Sequence, residues 1–185
     1  MKMSVSGTIM EDPRVPVSLK VSADEVKISA LDTSDSDGSV LPAIYPEWLG
    51  DRAFSGTHGS RFNYVVGEMA RGIATPRMVV EAVRAGCVGF YGSAGLPVPE
   101  IEAGIRAIKS SLAPEQSAWG ANLIHSPQQP GHEAAVVDLF VREGVRRVSA
   151  SAYMRLSPEI VRFTALGLER RADGAIVRNN HVFAK

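Results

Sequence analysis

From Phe62 onward the chain alternates short apolar runs with longer segments of helical periodicity, and no other feature narrows the possible folds as far. The runs Tyr64–Val66, Val88–Tyr91, Trp119–Ile124, Arg147–Ser151 and His181–Ala184 lack the strict apolar-polar alternation of a half-exposed strand. Strands of that kind are covered on both faces, which is the condition of a parallel sheet. The segments between them carry helix punctuation. Thr75 and Pro76 form a cap and a first helical residue; Met78, Val79, Ala82 and Val83 make one apolar stripe, and Gly86 stops the helix. Ile101, Ile105, Ile108 and Leu112 predict a second helix over Glu100–Leu112. Val136, Val137 and Phe140 predict a third over Glu133–Glu143, and Ser157-Pro158 opens a fourth.

Strand, loop, helix and turn thus repeat as βα units, which right-handed crossovers lay side by side. Five such strands are expected. A flavodoxin-like sheet is complete with five, whereas a (β/α)8 barrel needs eight strands and typically about 250 residues. Periodicity leaves both open. Before Phe62 the pattern differs: Pro13, Pro16, Pro42 and Pro46 punctuate the chain, and 32–38 is an acidic, turn-forming run expected at the surface. Val15–Val21 and Val26–Leu31 alternate as edge strands or a short hairpin do, so a small β-containing layer is expected. The expected division is an N-terminal extension over 1–60 and a sheet-and-helix domain over 61–185.

Composition limits the partners. Apolar residues make up 45% of 185, enough for a sizeable core, and 20 basic residues balance 20 acidic ones, which argues against nucleic acid or an anionic membrane as the main partner. Cys87 lies in an apolar run and has no cysteine to pair with, so it reads as a packing residue. The opening residues lack the apolar core of a signal peptide, and no run reaches the roughly 20 apolar residues of a membrane span. A reducing, cytoplasmic setting is the expectation.

Ligands of parallel α/β folds sit past the C-terminal ends of the strands. There the chain carries Gly67-Glu68-Met69-Ala70, whose small residues suit either the approach of a flat ring, with Met69 against it, or simply a tight loop before a capped helix. Gly92-Ser93-Ala94-Gly95 offers backbone N–H groups with little side-chain bulk, a weak anion or heterocycle signal by itself. Asn122 interrupts an apolar strand and must satisfy its amide with backbone, water or ligand; Ser149 and Ser151 raise the same question. His125, just beyond, is an acid, a ligand contact or a loop histidine. Lys185 closes the fifth strand. His58, His132 and His181 lack metal-ligand spacing, so no metal site is expected, and there is no G-x-S-x-G elbow.

Taken in order, Leu41–Gly50, Tyr64–Ala74, Gly89–Leu96, Asn122–Pro127, Gly144–Ser151 and Val182–Lys185 resemble the PfaD-type trans-acting enoyl reductases of polyketide and polyunsaturated fatty acid synthases, which are nitronate-monooxygenase-like FMN barrels. The resemblance implies the first five βα units of a (β/α)8 TIM barrel. It also implies bound FMN, NADPH as electron donor, and a 2-enoyl thioester on an acyl carrier protein as substrate. Carried over by position, Gly67, Glu68, Met69, Ala70, Gly92, Ser93, Asn122, Ser151 and Lys185 would line the flavin, and His125 is the catalytic candidate in this chain. The later strands of that family, with a histidine and the phosphate-binding loops, have no counterpart here, so the barrel is expected to be completed by a second polypeptide or a C-terminal part. Two other functions stand beside this one: a nitronate monooxygenase-type oxidoreductase, and a non-catalytic barrel fragment serving as a subunit or interaction module.

Overall fold

The structure, a computed structural model, describes residues 2–5, 12–31 and 39–184. The chain forms two compact units, Met1–Asp51 and Arg52–Lys185. The expected surface run at 32–38 and the terminal Lys185 lie outside the described residues.

In the first unit β1 (Lys2–Val5), β2 (Val17–Val21), β3 (Glu25–Ala30) and β4 (Ser39–Leu41) form one sheet in the order β1-β3-β2-β4. The expected hairpin is β2 against β3, antiparallel, and its turn is closed by Ser22, whose amide and hydroxyl both donate to the Glu25 carbonyl at 2.8 and 3.0 Å. A 3-10 turn over Pro46–Trp48 follows, tied to the start of the chain by the Arg14–Glu47 ion pair at 2.8 Å.

The second unit holds α1 (Arg52–His58), β5 (Val65–Gly67), α2 (Pro76–Arg84), β6 (Val88–Tyr91), α3 (Val98–Ser111), β7 (Trp119–Ile124), α4 (Pro130–Arg142), β8 (Arg147–Ser151) and α5 (Pro158–Ala165). A hairpin of β9 (Leu168–Arg170) and β10 (Ile176–Arg178) then precedes β11 (His181–Ala184). The five expected strands are all present and form one parallel sheet in the order β11-β8-β7-β6-β5. The caps are the predicted ones: Thr75 Oγ1 accepts from the Met78 amide at 3.1 Å and Ser157 Oγ from that of Ile160 at 3.3 Å.

This strand order decides between the two architectures. A flavodoxin-like sheet reverses direction after its first strands and carries helices on both faces. Here each strand lies beside its predecessor, and α2 to α5 all pack on one face. Val79, Ile101, Ile105, Ile108, Val137, Phe140 and Phe163 meet Tyr91, Ala121, Leu123, Val148 and Ala150 there. Each of these large side chains contributes roughly 1.5–3 kcal/mol by burial. The opposite face carries its own cluster of Val88, Phe90 and Ala118, with Phe54 and Phe183 against it. One-way winding with helices on a single face is the geometry of a (β/α)8 barrel wall, so the fold is α/β and comprises five βα-barrel strands.

One boundary differs from the expectation and one element is additional to it. The unit boundary falls at Asp51/Arg52 and not at 60/61, because α1 belongs with the parallel sheet: His58 is buried and held by Arg147 of β8. The stretch between α5 and β11, to which the sequence patterns assign no element, contains the β9–β10 hairpin. Its signal is Asp173-Gly174, where Gly174 takes a φ of 85° and Asp173 Oδ1 accepts from the Ala175 amide at 2.9 Å.

Candidate functional site

Pairing register sorts the side chains of the sheet into two faces. Gly67 pairs with Phe90 and Phe90 with Gly120; Asn122 pairs with Ser149 and Ser149 with Phe183; Ile124 pairs with Ser151, and Arg147 with His181. These residues share the face turned away from α2 to α5. The face is therefore polar at both ends and apolar in its middle.

At the N-terminal end Arg147 closes the structure. Its Nε donates to His58 Nδ1 at 3.2 Å, its Nη2 to the His58 carbonyl at 2.9 Å and its Nη1 to the Ser117 carbonyl. Burial and the Arg147 charge push His58 down to about 4, so the ring is neutral and accepts. The same two causes, with Arg178, lower His181. This end is a structural plug.

The C-terminal end is built from interlocked loops. After β5, Gly67 takes a φ of 102° and approaches so closely that a Cβ would lie 2.5 Å from the Phe90 carbonyl oxygen. Glu68 and Arg71 follow at φ values of 63° and 54°, conformations that cost non-glycine residues free energy and cluster at functional loops. The amides of Arg71 and Gly72 donate to the carbonyls of Ala94 and Gly92 at 2.9 and 2.8 Å, while the Gly92 amide donates to Ala74 at 2.9 Å. The Gly92-Ser93-Ala94-Gly95 turn therefore does not offer a run of free amides as expected: the Gly92 amide is taken by Ala74 and the Ser93 amide by the Tyr91 carbonyl. Gly92 is glycine because the Met69 carbonyl fills the place of its Cβ. Ser93 is fully buried, and its Oγ donates to the Asn122 carbonyl at 2.6 Å, tying this turn to β7.

Asn122 is 2% exposed. Its Nδ2 donates to the Ser149 carbonyl at 2.9 Å and to Ser151 Oγ at 2.8 Å, and Ser151 Oγ donates in turn to the Leu123 carbonyl at 3.4 Å. Both N–H groups are thus spent on β8, and Oδ1 has no partner among the described residues. An amide oxygen left open in this way is free to accept from a ligand or water.

Beyond the strand, His125 turns toward α4. Glu133, buried in the first turn of that helix, receives His125 Nδ1 at 3.2 Å and the Ser126 amide at 3.2 Å on Oε2, and the Tyr153 hydroxyl at 2.7 Å and Ser157 Oγ at 3.0 Å on Oε1. Burial alone would raise its pKa, but these hydrogen bonds outweigh it and hold the carboxyl below the usual carboxylate range. Burial, followed by the Glu133 hydrogen bond, pushes the Tyr153 phenol up. The carboxylate joins the loop after β7 to the loop after β8.

With this geometry in view, similarity to known proteins becomes interpretable. No protein-family model matches the chain. It is 37% identical over 147 residues to the polyketide biosynthesis protein PksE of Bacillus subtilis, covering 80% of this chain and 19% of PksE. It is 40% identical over 152 residues to the polyketide biosynthesis protein ThaF of Burkholderia thailandensis, covering 82% of the chain and 13% of ThaF. Among solved structures, the enoyl reductase domain of MlnA from the macrolactin biosynthesis cluster of Bacillus amyloliquefaciens superposes with a TM-score of 0.69 and 33% identity, over 74% of this chain and 31% of that one. The chain is similar to part of the PfaD-type enoyl reductases. A FabK variant from Thermotoga maritima, at 21% identity and a TM-score of 0.50 over 61% of this chain and 35% of that one, shares the fold alone. The chain thus spans less than a fifth of PksE and ThaF and under a third of the MlnA domain.

Within this enoyl-reductase-like segment, the structure brings Gly67, Glu68, Met69, Ala70, Gly92 and Ser93 into one pair of interlocked loops, and Asn122 and Ser151 into one hydrogen-bonded pair. Met69 is half-exposed and touches this loop system through its carbonyl. His125 stands apart from the Asn122–Ser151 pair, turned to Glu133. Glu133 and Tyr153, hydrogen-bonded to each other, are functional candidates beyond those that the motifs point to. The signal for Glu133 was its position on the same helical stripe as Val136, Val137 and Phe140, where an acid is out of place unless it is fully bonded. Among the described residues no group of three His, Cys, Asp or Glu could hold a metal ion, and no helix is long and apolar enough to cross a membrane.

Proposed function

We propose that this chain forms the ring-binding wall of an FMN-dependent enoyl reductase that takes electrons from NADPH and reduces 2-enoyl thioesters carried by an acyl carrier protein of a polyketide or polyunsaturated fatty acid synthase. The reading places the protein in the cytoplasm and has the barrel completed by a C-terminal part or second polypeptide, since β5 and β11 are the two edges of the parallel sheet.

The observation that carries it is the Asn122 amide. Its Oδ1 accepts no hydrogen bond among the described residues, it lies in the C-terminal half of β7, and its orientation is fixed by two hydrogen bonds to β8. The N–H edge of a flavin ring is a donor that such an oxygen would accept. Gly67 and Gly92 let the two neighbouring loops interlock, Ala70 adds little bulk where a flat ring would approach, Ser93 and Ser151 hold Asn122 in place, and Glu68 and Met69 border the same loop. Lys185 is proposed as the cation near the ring, where positive charge favours the reduced, anionic flavin. FMN, when bound, supplies the hydride. The residues of this chain orient the ring and hold the proton that completes reduction, with His125 as the candidate that carries it.

The completed barrel is tested with NADPH and a crotonyl thioester, and separately with a nitronate and oxygen. NADPH oxidation that depends on the thioester supports the reading. Turnover of the nitronate alone overturns it in favour of a monooxygenase, and turnover of neither, with no flavin bound, in favour of a non-catalytic subunit.

A further inference from the structure

Glu133 accepts four hydrogen bonds, and their donors fix what the fourth one must be. The Ser126 amide can only donate, and the Tyr153 and Ser157 hydroxyls donate at 2.7 and 3.0 Å. The carboxylate is 3% exposed and holds its charge on these bonds. An ionised carboxylate has no proton to give, so the contact at 3.2 Å requires His125 Nδ1 to carry the hydrogen. A neutral histidine with Nδ1 protonated has its lone pair on Nε2, and that atom has no partner among the described residues. The ring is further held by Tyr153, whose own ring lies 5.0 Å away at 34°, and by the His125 amide, which donates to the Ser151 carbonyl at 3.0 Å. The histidine is thereby anchored to the residue that holds Asn122.

We infer that Glu133 is a positioning residue that locks His125 with its hydrogen on Nδ1, leaving Nε2 as the one atom of the ring that takes up and releases a proton at the C-terminal end of the sheet. The protonated ring then carries hydrogens on both nitrogens, the cation facing Glu133. When the Nε2–H bond breaks, the proton passes to the α-carbon of the enoyl thioester, whose double-bond electron pair forms the new C–H bond as hydride arrives at the β-carbon. The ring is left neutral with Nδ1 still protonated, and Glu133 is unchanged. This use of the proton rests on the proposed enoyl-reductase reading; the locked tautomer does not.

The test is the 15N spectrum of histidine-labelled full chain, which distinguishes the two neutral tautomers, recorded for the unaltered protein, Glu133→Leu and Tyr153→Phe. A Gln would keep an oxygen opposite Nδ1, because the Ser126 amide beside it can only donate, whereas leucine removes the acceptor; E133L is therefore expected to release the ring toward the Nε2-protonated form that free imidazole favours. Y153F, which touches only Oε1, is expected to leave the hydrogen on Nδ1 and reports whether the fold tolerates changes at this site. In the completed, FMN-loaded barrel, E133L is expected to lower kcat for the enoyl thioester on the order of tenfold or more with KM within about twofold, as when a histidine is given the wrong tautomer. An Nε2-protonated ring in the unaltered protein, or an E133L spectrum with the tautomer unmoved, overturns the inference. If the enoyl thioester is not reduced at all, the functional reading fails while the spectra still decide the role of Glu133.

Discussion

The carbonyl oxygen of Met69 stands 1.8 Å from where a Cβ of Gly92 would be, so the loop after β5 and the turn after β6 occupy one another's side-chain space. No rotamer relieves a clash with backbone. Gly92→Ala is expected to destabilise the protein by about 2 kcal/mol or more and to separate the two loops. Urea unfolding with amide hydrogen exchange at Arg71, Gly72 and Ala74 checks this; unchanged protection there would show that the loops are not interlocked.

Arg147 and His58 make the opposite end of the sheet depend on pH. His58 is held at about 4 in the fold against an ordinary 6.5, so the unfolded chain binds a proton that the folded one refuses between those values. Stability therefore falls as pH drops from about 6.5 to 4, by on the order of 3 kcal/mol, and His181 adds in the same direction. Denaturant midpoints at pH 7, 6 and 5 should decline in that order, and His58→Gln should flatten the decline.

Removing the arginine itself takes the donor from the His58 carbonyl and ring nitrogen in a buried place, while the Ser117 carbonyl keeps the Trp119 amide at 2.7 Å. Arg147→Met is expected to cost about 3 kcal/mol. A midpoint within experimental error of the unaltered protein would mean that water replaces the guanidinium.

The phenol of Tyr153 donates to a buried, ionised carboxylate, a stronger bond than one between neutral groups. Tyr153→Phe is expected to lose about 2 kcal/mol and to raise the Glu133 pKa toward the ordinary range, since one of the bonds holding it down is gone. Carboxyl 13C titration reads that shift; no movement would place the control elsewhere.

The parallel sheet was legible in the sequence because its strands are bounded by caps, prolines and glycines whose local chemistry needs no tertiary context, as at Thr75-Pro76 and Ser157-Pro158. The choice of barrel over closed sheet was not, because both use the same βα unit and differ only in which side each strand is added. The β9–β10 hairpin lies in a charged stretch whose one turn signal is Asp173-Gly174, too little to mark two strands of three residues each. At the site, Asn122, Ser149 and Ser151 stood out as polar residues in apolar strands, and register brings them together. Gly92 drew notice for its open backbone, yet its lack of a side chain serves the Met69 carbonyl, a contact that no local pattern encodes. Glu133 is marked in the sequence only by its place on an apolar stripe, and its role is not, because its partners come from four positions spread over two loops.

The central claim is that the Asn122–Ser151 end of this sheet holds a flavin ring. FMN fluorescence titration of the completed barrel tests it most directly, comparing the unaltered protein with Asn122→Ala. Saturable quenching that weakens on the order of tenfold in the variant, the loss of about one hydrogen bond, is the predicted result. Equal affinity in both proteins, or no quenching in either, would contradict the account.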